Sequence, residues 1–119
     1  MHQETLRHLE KRGYPTPNLQ SKGFDDLADF KPDAEITVCD QADKESCPVW
    51  PGSGAKAHWG LPDPTRLSSA TKMDEMFGEV IVTIERRINR LLAEPDLDVP
   101  ASQLTALLKL IGEDNHGIV

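Results

Sequence analysis

No stretch of this sequence stays apolar for long enough to cross a bilayer as a helix, so none of these residues reads as a membrane span. Positive charge is in deficit, with 13 Lys and Arg against 20 Asp and Glu and a formal net charge of −7. An acidic surface of that size argues against nucleic acid or an anionic membrane as partner, but leaves room for a local oxyanion pocket. Aromatic residues make up 5% of the chain. Trp50 and Trp59 therefore read as packing groups rather than a base-stacking platform. Cysteine is scarce: Cys39 and Cys47 are the only two, too few for a disulfide scaffold. The N-terminal run MHQETLRHLEKRG is an amphipathic helix pattern and not a signal peptide. A cytoplasmic location is the expectation, with both cysteines resting as thiols and any disulfide between them transient.

The remaining composition suits one soluble, globular domain spanning 1–119. Residues 3–13 predict a helix with Thr5, Leu6 and Leu9 on one face, ended by Gly13. Pro15 and Pro17 then enforce an extended connector. Residues 21–30 predict a short helix with Phe24, Leu27 and Phe30 inward. Residues 35–40, rich in β-branched side chains, predict a strand. Residues 41–55 predict a loop, and 57–61 a second strand.

Met73, Phe77, Val80, Ile81, Ile84, Ile88, Leu91 and Leu92 recur at helical spacing, so residues 72–93 predict a long helix. Thr71 and Asp74 are placed as a capping box, with Glu85, Arg86, Arg87 and Arg90 on a solvated face. A last helix is expected from Ser102, as N-cap, to Ile111, with Leu104, Leu107, Leu108 and Ile111 apolar and Gly112 ending it. Helix, strand, strand, helix in that order implies a parallel sheet flanked by helices.

Three residues stand out chemically. Cys39 ends the first predicted strand, where α/β folds collect reactive groups. Cys47, eight positions on, is near enough in sequence for its thiolate to attack a disulfide formed at Cys39. A buried, inert Cys39 is the plainer alternative. Asp63, set between Pro62 and Pro64, is a carboxylate on a stiff loop, which suits either a general acid or an Asx-type turn. Cys39, Cys47 and His58 could form part of a zinc site, but no fourth ligand and no Cys-x-x-Cys pair accompanies them, and no cofactor is expected. His2, His8 and His116 are expected at the surface.

The runs Ile36-Thr37-Val38-Cys39-Asp40, Cys47-Pro48-Val49-Trp50-Pro51-Gly52 and His58-Trp59-Gly60-Leu61-Pro62-Asp63-Pro64 resemble bacterial arsenate reductases of the low-molecular-weight tyrosine phosphatase superfamily. Gly13-Tyr14, Ser21-Lys22 and Arg87-Ile88 to Leu91-Leu92 extend the resemblance over nearly the whole chain. It implies a truncated version of the low-molecular-weight phosphatase fold. It also implies thiol-dependent reduction of arsenate to arsenite as the parent chemistry, with Asp63 as general acid. Cys39 and Cys47 match the second and third cysteines of the thiol relay, and thioredoxin or glutaredoxin would supply the electrons.

One departure is large. The family opens with a strand and a Cys-x5-Arg loop that cradles the oxyanion. Here Glu45 stands six positions after Cys39 and Ser53 six after Cys47, and no cysteine precedes Cys39. The expectation is therefore a chain inactive alone, binding arsenate only if the missing loop is supplied. The alternative roles are a dithiol redox module or a non-catalytic homodimer that pairs through the strand edge left open.

Overall fold

A computed structural model describes residues 2–22, 29–38 and 54–113 of the chain. The fold is α/β, and the described residues form two parallel strands and three α-helices. Helix α1 spans Gln3–Lys11. Its first turn is capped by the imidazole of His2, whose Nδ1 accepts from the Glu4 amide at 3.1 Å. The end is set by Gly13 at φ +86°, which lets its own amide reach Glu10 O and the Tyr14 amide reach Leu9 O, each at 3.0 Å. These two bonds satisfy carbonyls that a helix end otherwise leaves open. The Tyr14 hydroxyl then donates to Glu85, tying the connector to the long helix. That bond raises the tyrosine's pKa above its usual range, because ionising the hydroxyl would end the donation.

Strand β1, Ala34–Thr37, pairs in parallel with β2, Ala55–His58, with Ala34 opposite Ala55 and Thr37 opposite His58. Side chains alternate across a strand, so this register gives the sheet two unlike faces. Ala34, Ile36, Ala55 and Ala57 turn toward the core. The other face carries the Glu35–Lys56 and Thr37–His58 pairs. Both strands start and stop earlier than the expected 35–40 and 57–61. Pairing nevertheless continues past their ends, through Trp59 N to Thr37 O at 2.7 Å and Leu61 N to Val38 O at 3.2 Å.

Helix α3, Ala101–Gly112, lies against the alanine face of the sheet. Small side chains there let it approach closely, and Leu104, Leu108 and Ile111 fill the contact. Leu108 and Ile111 have no exposed surface. Each such side chain contributes roughly 1.5–3 kcal/mol of burial free energy. The expected Ser102 cap is not used: the N-cap is Pro100, two positions earlier, which makes no side-chain bond, and Ser102 lies inside the helix.

Helix α2, Ala70–Leu92, is capped by Ser69, whose Oγ accepts from the Lys72 amide at 3.4 Å. The expected Thr71–Asp74 box does not form. Thr71 is already inside the helix, and Asp74 is engaged by α1 through His8 and Lys11.

The buried side of α2 differs from the apolar stripe in its sequence. Phe77, Thr83 and Arg87 are buried, whereas Ile88 and Leu92 are exposed. Arg87, expected on the solvated face, instead sets its guanidinium 5.8 Å over the Trp59 ring, and Nη2 donates to Gly112 O at 3.4 Å. His8, expected at the surface, has no exposed area, because it fills the joint between α1 and α2. His2 is exposed as expected. Phe30, expected inward, is 58% exposed. Most of the predicted helix at 21–30 lies outside the described residues, as do Phe24, Leu27, Trp50 and His116. Among the described residues no helix is long and apolar enough to cross a membrane.

Candidate functional site

The carboxyl ends of β1 and β2 lie side by side, and the chain leaves them as Val38 and as Trp59-Gly60-Leu61. Parallel sheets place their chemistry at this end. Trp59 and Leu61 are buried and anchor the outgoing segment. Pro62 and Pro64 stiffen the backbone around Asp63, with Pro64 buried at the start of a short 3-10 turn, Pro64–Arg66. Asp63 is therefore held on a firm base while its side chain stays 44% exposed.

The Asp63 carboxylate caps that turn. Oδ1 accepts from the Thr65 amide at 2.9 Å and from the Thr65 hydroxyl at 2.6 Å, and Oδ2 lies 3.6 Å from Arg66 Nε. These partners favour the charged form. The Thr65 hydroxyl does most to hold Asp63 below the usual carboxylate range, and the Thr65 amide, Arg66 and His2 help. Partial burial works the other way. The Asx-type cap and a solvent-facing carboxylate thus coexist in one residue. At rest it is an ionised group, and it can donate a proton only after something makes its charge less favourable. An anion bound nearby would do that, because like charges oppose ionisation.

Thr37 and His58 sit at the same end of the sheet, with the threonine Oγ1 2.6 Å from the imidazole Nδ1. His58 is exposed. No group of three or more His, Cys, Asp or Glu side chains able to hold a metal ion occurs among the described residues. Cys39 and Cys47 lie outside those residues, although Cys39 directly follows the described Val38. Sequence reasoning missed Thr65, the strongest partner of Asp63. The Asp-Pro-Thr spacing carried the signal, since an aspartate commonly caps the amide two residues on. A depression of about 580 Å³ lies at the opposite end of the sheet, between Asp33, Gly54, Leu97 and Leu104. It is remote in the fold from Asp63 and takes no part in this site.

A stiff Asp-Pro loop thus stands at the carboxyl end of a parallel sheet, in a protein of the α/β class. The chain belongs to the low molecular weight phosphotyrosine protein phosphatase family, whose model matches residues 1–101. It is also similar to two proteins of Staphylococcus epidermidis, arsenate reductase 2 of strain ATCC 35984 and arsenate reductase of strain ATCC 12228. Each is 33% identical over 61 residues, which cover 51% of this chain and 46% of the relative. The chain thus spans about half the length of the curated relatives it matches.

Proposed function

We propose that this chain takes part in thiol-dependent reduction of arsenate to arsenite, supplying the general acid and the later half of the thiol relay. The observation that carries the reading is the Asp63 loop, rigid at its base and open at its carboxylate, on a chain similar to two arsenate reductases. A nucleophilic thiol outside these 119 residues, held in a Cys-x5-Arg cradle, attacks arsenate and displaces an oxygen as water. Asp63 gives up a proton to that leaving oxygen. The Cys39 thiolate then attacks the nucleophile's sulfur. The S–As bond breaks, its electron pair stays on arsenic, and arsenite departs. The Cys47 thiolate next attacks Cys39, returning the first thiol and leaving a Cys39–Cys47 disulfide. A dithiol protein of the thioredoxin or glutaredoxin type reduces that bond, so two electrons pass from it to arsenic for each turnover.

The relay has a direct test. Mild oxidant should convert the purified chain to a form lighter by two hydrogens, with neither thiol open to alkylation. Mass spectrometry after alkylation reads this. Two fully alkylated cysteines after oxidation would remove the relay from the proposal.

A second reading, a homodimer with an interaction role, is favoured by the surface. Among the described residues β1 pairs only with β2, and Val82, Ile88 and Leu92 of α2 are exposed. Parallel sheets ordinarily have both faces covered and their edges protected. A two-fold contact would cover both copies at once. Sedimentation equilibrium at micromolar concentration should then return twice the chain mass, and a compact monomer would exclude this reading.

A further inference from the structure

The two edges of the sheet differ. Ala55 N donates to Asp33 O at 3.0 Å, and Trp59 N donates to Thr37 O at 2.7 Å. In a parallel pair, alternate residues turn both their N–H and their C=O to the same neighbour. With Asp33 and Thr37 facing β2, Glu35 faces it too, and the backbone groups of Ala34 and Ile36 point the other way. Among the described residues no strand lies on that side. By the same alternation the outward residues of β2 are Lys56 and His58. Lysine on an edge strand discourages pairing. The outward residues of β1 are apolar, and no proline interrupts residues 34–38, so this edge is open to a further strand.

A second copy of β1 fits the edge in one register. Edge-to-edge pairing about a two-fold axis is antiparallel, and the outward residues must be the hydrogen-bonded ones. Centring on Glu35 would set its carboxylate opposite itself, and like charges so placed are destabilising. Centring on Ala34 would bring Pro32 opposite Ile36, where proline has no N–H to give. Centring on Thr37 would leave Ala34 opposite no residue of 34–38. Centring on Ile36 avoids all three. Ile36 then exchanges two amide-to-carbonyl bonds with its counterpart, Glu35 lies opposite Thr37, and Ala34 lies opposite Val38. Ala34 and Ile36 already turn toward the α3 core. A two-fold axis perpendicular to the sheet keeps that face common to both copies. Val38 shares the face by alternation and is 48% exposed, so the pairing gives it an apolar neighbour.

We infer that β1 pairs antiparallel with β1 of a second copy, centred on Ile36, making one continuous sheet in the order β2-β1-β1-β2. This rests on the homodimer reading and assigns its contact to the strand edge rather than to the exposed side of α2.

Sedimentation equilibrium of the 119-residue chain, from micromolar to millimolar concentration, gives the dissociation constant. Thr37→Lys sets an ammonium opposite Glu35 of the second copy and should tighten the dimer. Thr37→Glu sets a carboxylate there and should weaken it. Each change should be roughly 2- to 30-fold, because two such pairs form per dimer. Both variants lose the Thr37–His58 bond, so the difference between them isolates the charge. The same two substitutions at Gln103, exposed on α3, control for net charge alone. Isotope-filtered NOE spectroscopy on a mixed labelled and unlabelled sample should connect the α-protons of Glu35 and Thr37 in different copies, which this register holds close. A dimer without that contact, or one that answers substitution at Thr37 and at Gln103 alike, would overturn the strand-edge pairing while the homodimer stands. A monomer at every concentration would overturn both.

Discussion

A polypeptide of these 119 residues will turn over neither arsenate nor p-nitrophenyl phosphate, and fusing a strand with a Cys-x5-Arg loop ahead of residue 1 will confer arsenate turnover in the presence of a dithiol. The first half rests on the residues present. Cys39 and Cys47 are followed six positions later by Glu45 and Ser53, so neither sits in an arginine-closed cradle. Nucleophile and oriented donors together supply most of the acceleration in this kind of displacement. In the fused protein, Asp63→Ala should lower kcat about 10²-fold or more, the usual contribution of a placed general acid. The pH dependence has a definite sign. Thr65 holds the Asp63 carboxyl down by bonding its ionised form. Thr65→Val removes the hydroxyl bond, so the protonated, donating form persists to higher pH and the alkaline limb of the rate profile moves up. Turnover by the unfused chain that Asp63→Ala abolishes would refute the first half. A fused enzyme indifferent to Asp63→Ala would refute the acid assignment.

The fold class was legible because alternation and helical periodicity report which residues seek the core. Ile36 and the leucines of α3 lie where their spacing put them. The Asp63 loop was legible too, since two prolines flanking an aspartate restrict the backbone whatever surrounds it. Misreadings cluster where a polar side chain is buried with partners distant in sequence. Arg87 follows two charged neighbours, Glu85 and Arg86, yet the Trp59 ring and the Gly112 carbonyl give it a place inside. His8 was hidden for the same reason: its partner Asp74 stands 66 positions away. Local pattern records the cost of burying a charge, but not the tertiary partner that offsets it. That also explains the rotated interior face of α2, where Thr83 and Arg87 displace Ile88 and Leu92 from the core.

Trp59 is the residue whose loss should do most harm to the fold. Its ring is 3% exposed and packs with Leu104, Leu108 and Ile111, while Nε1 donates to Leu108 O at 2.8 Å. It also forms the surface over which the Arg87 guanidinium lies. Trp59→Ala opens a cavity at the sheet–α3 contact and removes the apolar ring beside a buried cation, so a loss of about 3–5 kcal/mol is expected. That is a large share of a small domain's stability of roughly 5–15 kcal/mol. Gly112 supplies a sharper version of the test. In an ordinary helix interior, glycine to alanine stabilises by up to about 1 kcal/mol. At Gly112 the new methyl would stand 2.6 Å from Trp59 Cδ1 and 2.9 Å from Nε1, a clash with a fixed ring rather than a flexible chain end. Gly112→Ala should therefore destabilise by about 1–3 kcal/mol, as overpacking does. Because the obstacle is the indole itself, the clash should be relieved in a Trp59→Ala background, which removes every atom the new methyl would meet. Urea unfolding of the four proteins in that cycle measures the coupling. Additive effects would mean that Gly112 and Trp59 do not touch, and that α3 docks on the sheet by some other contact.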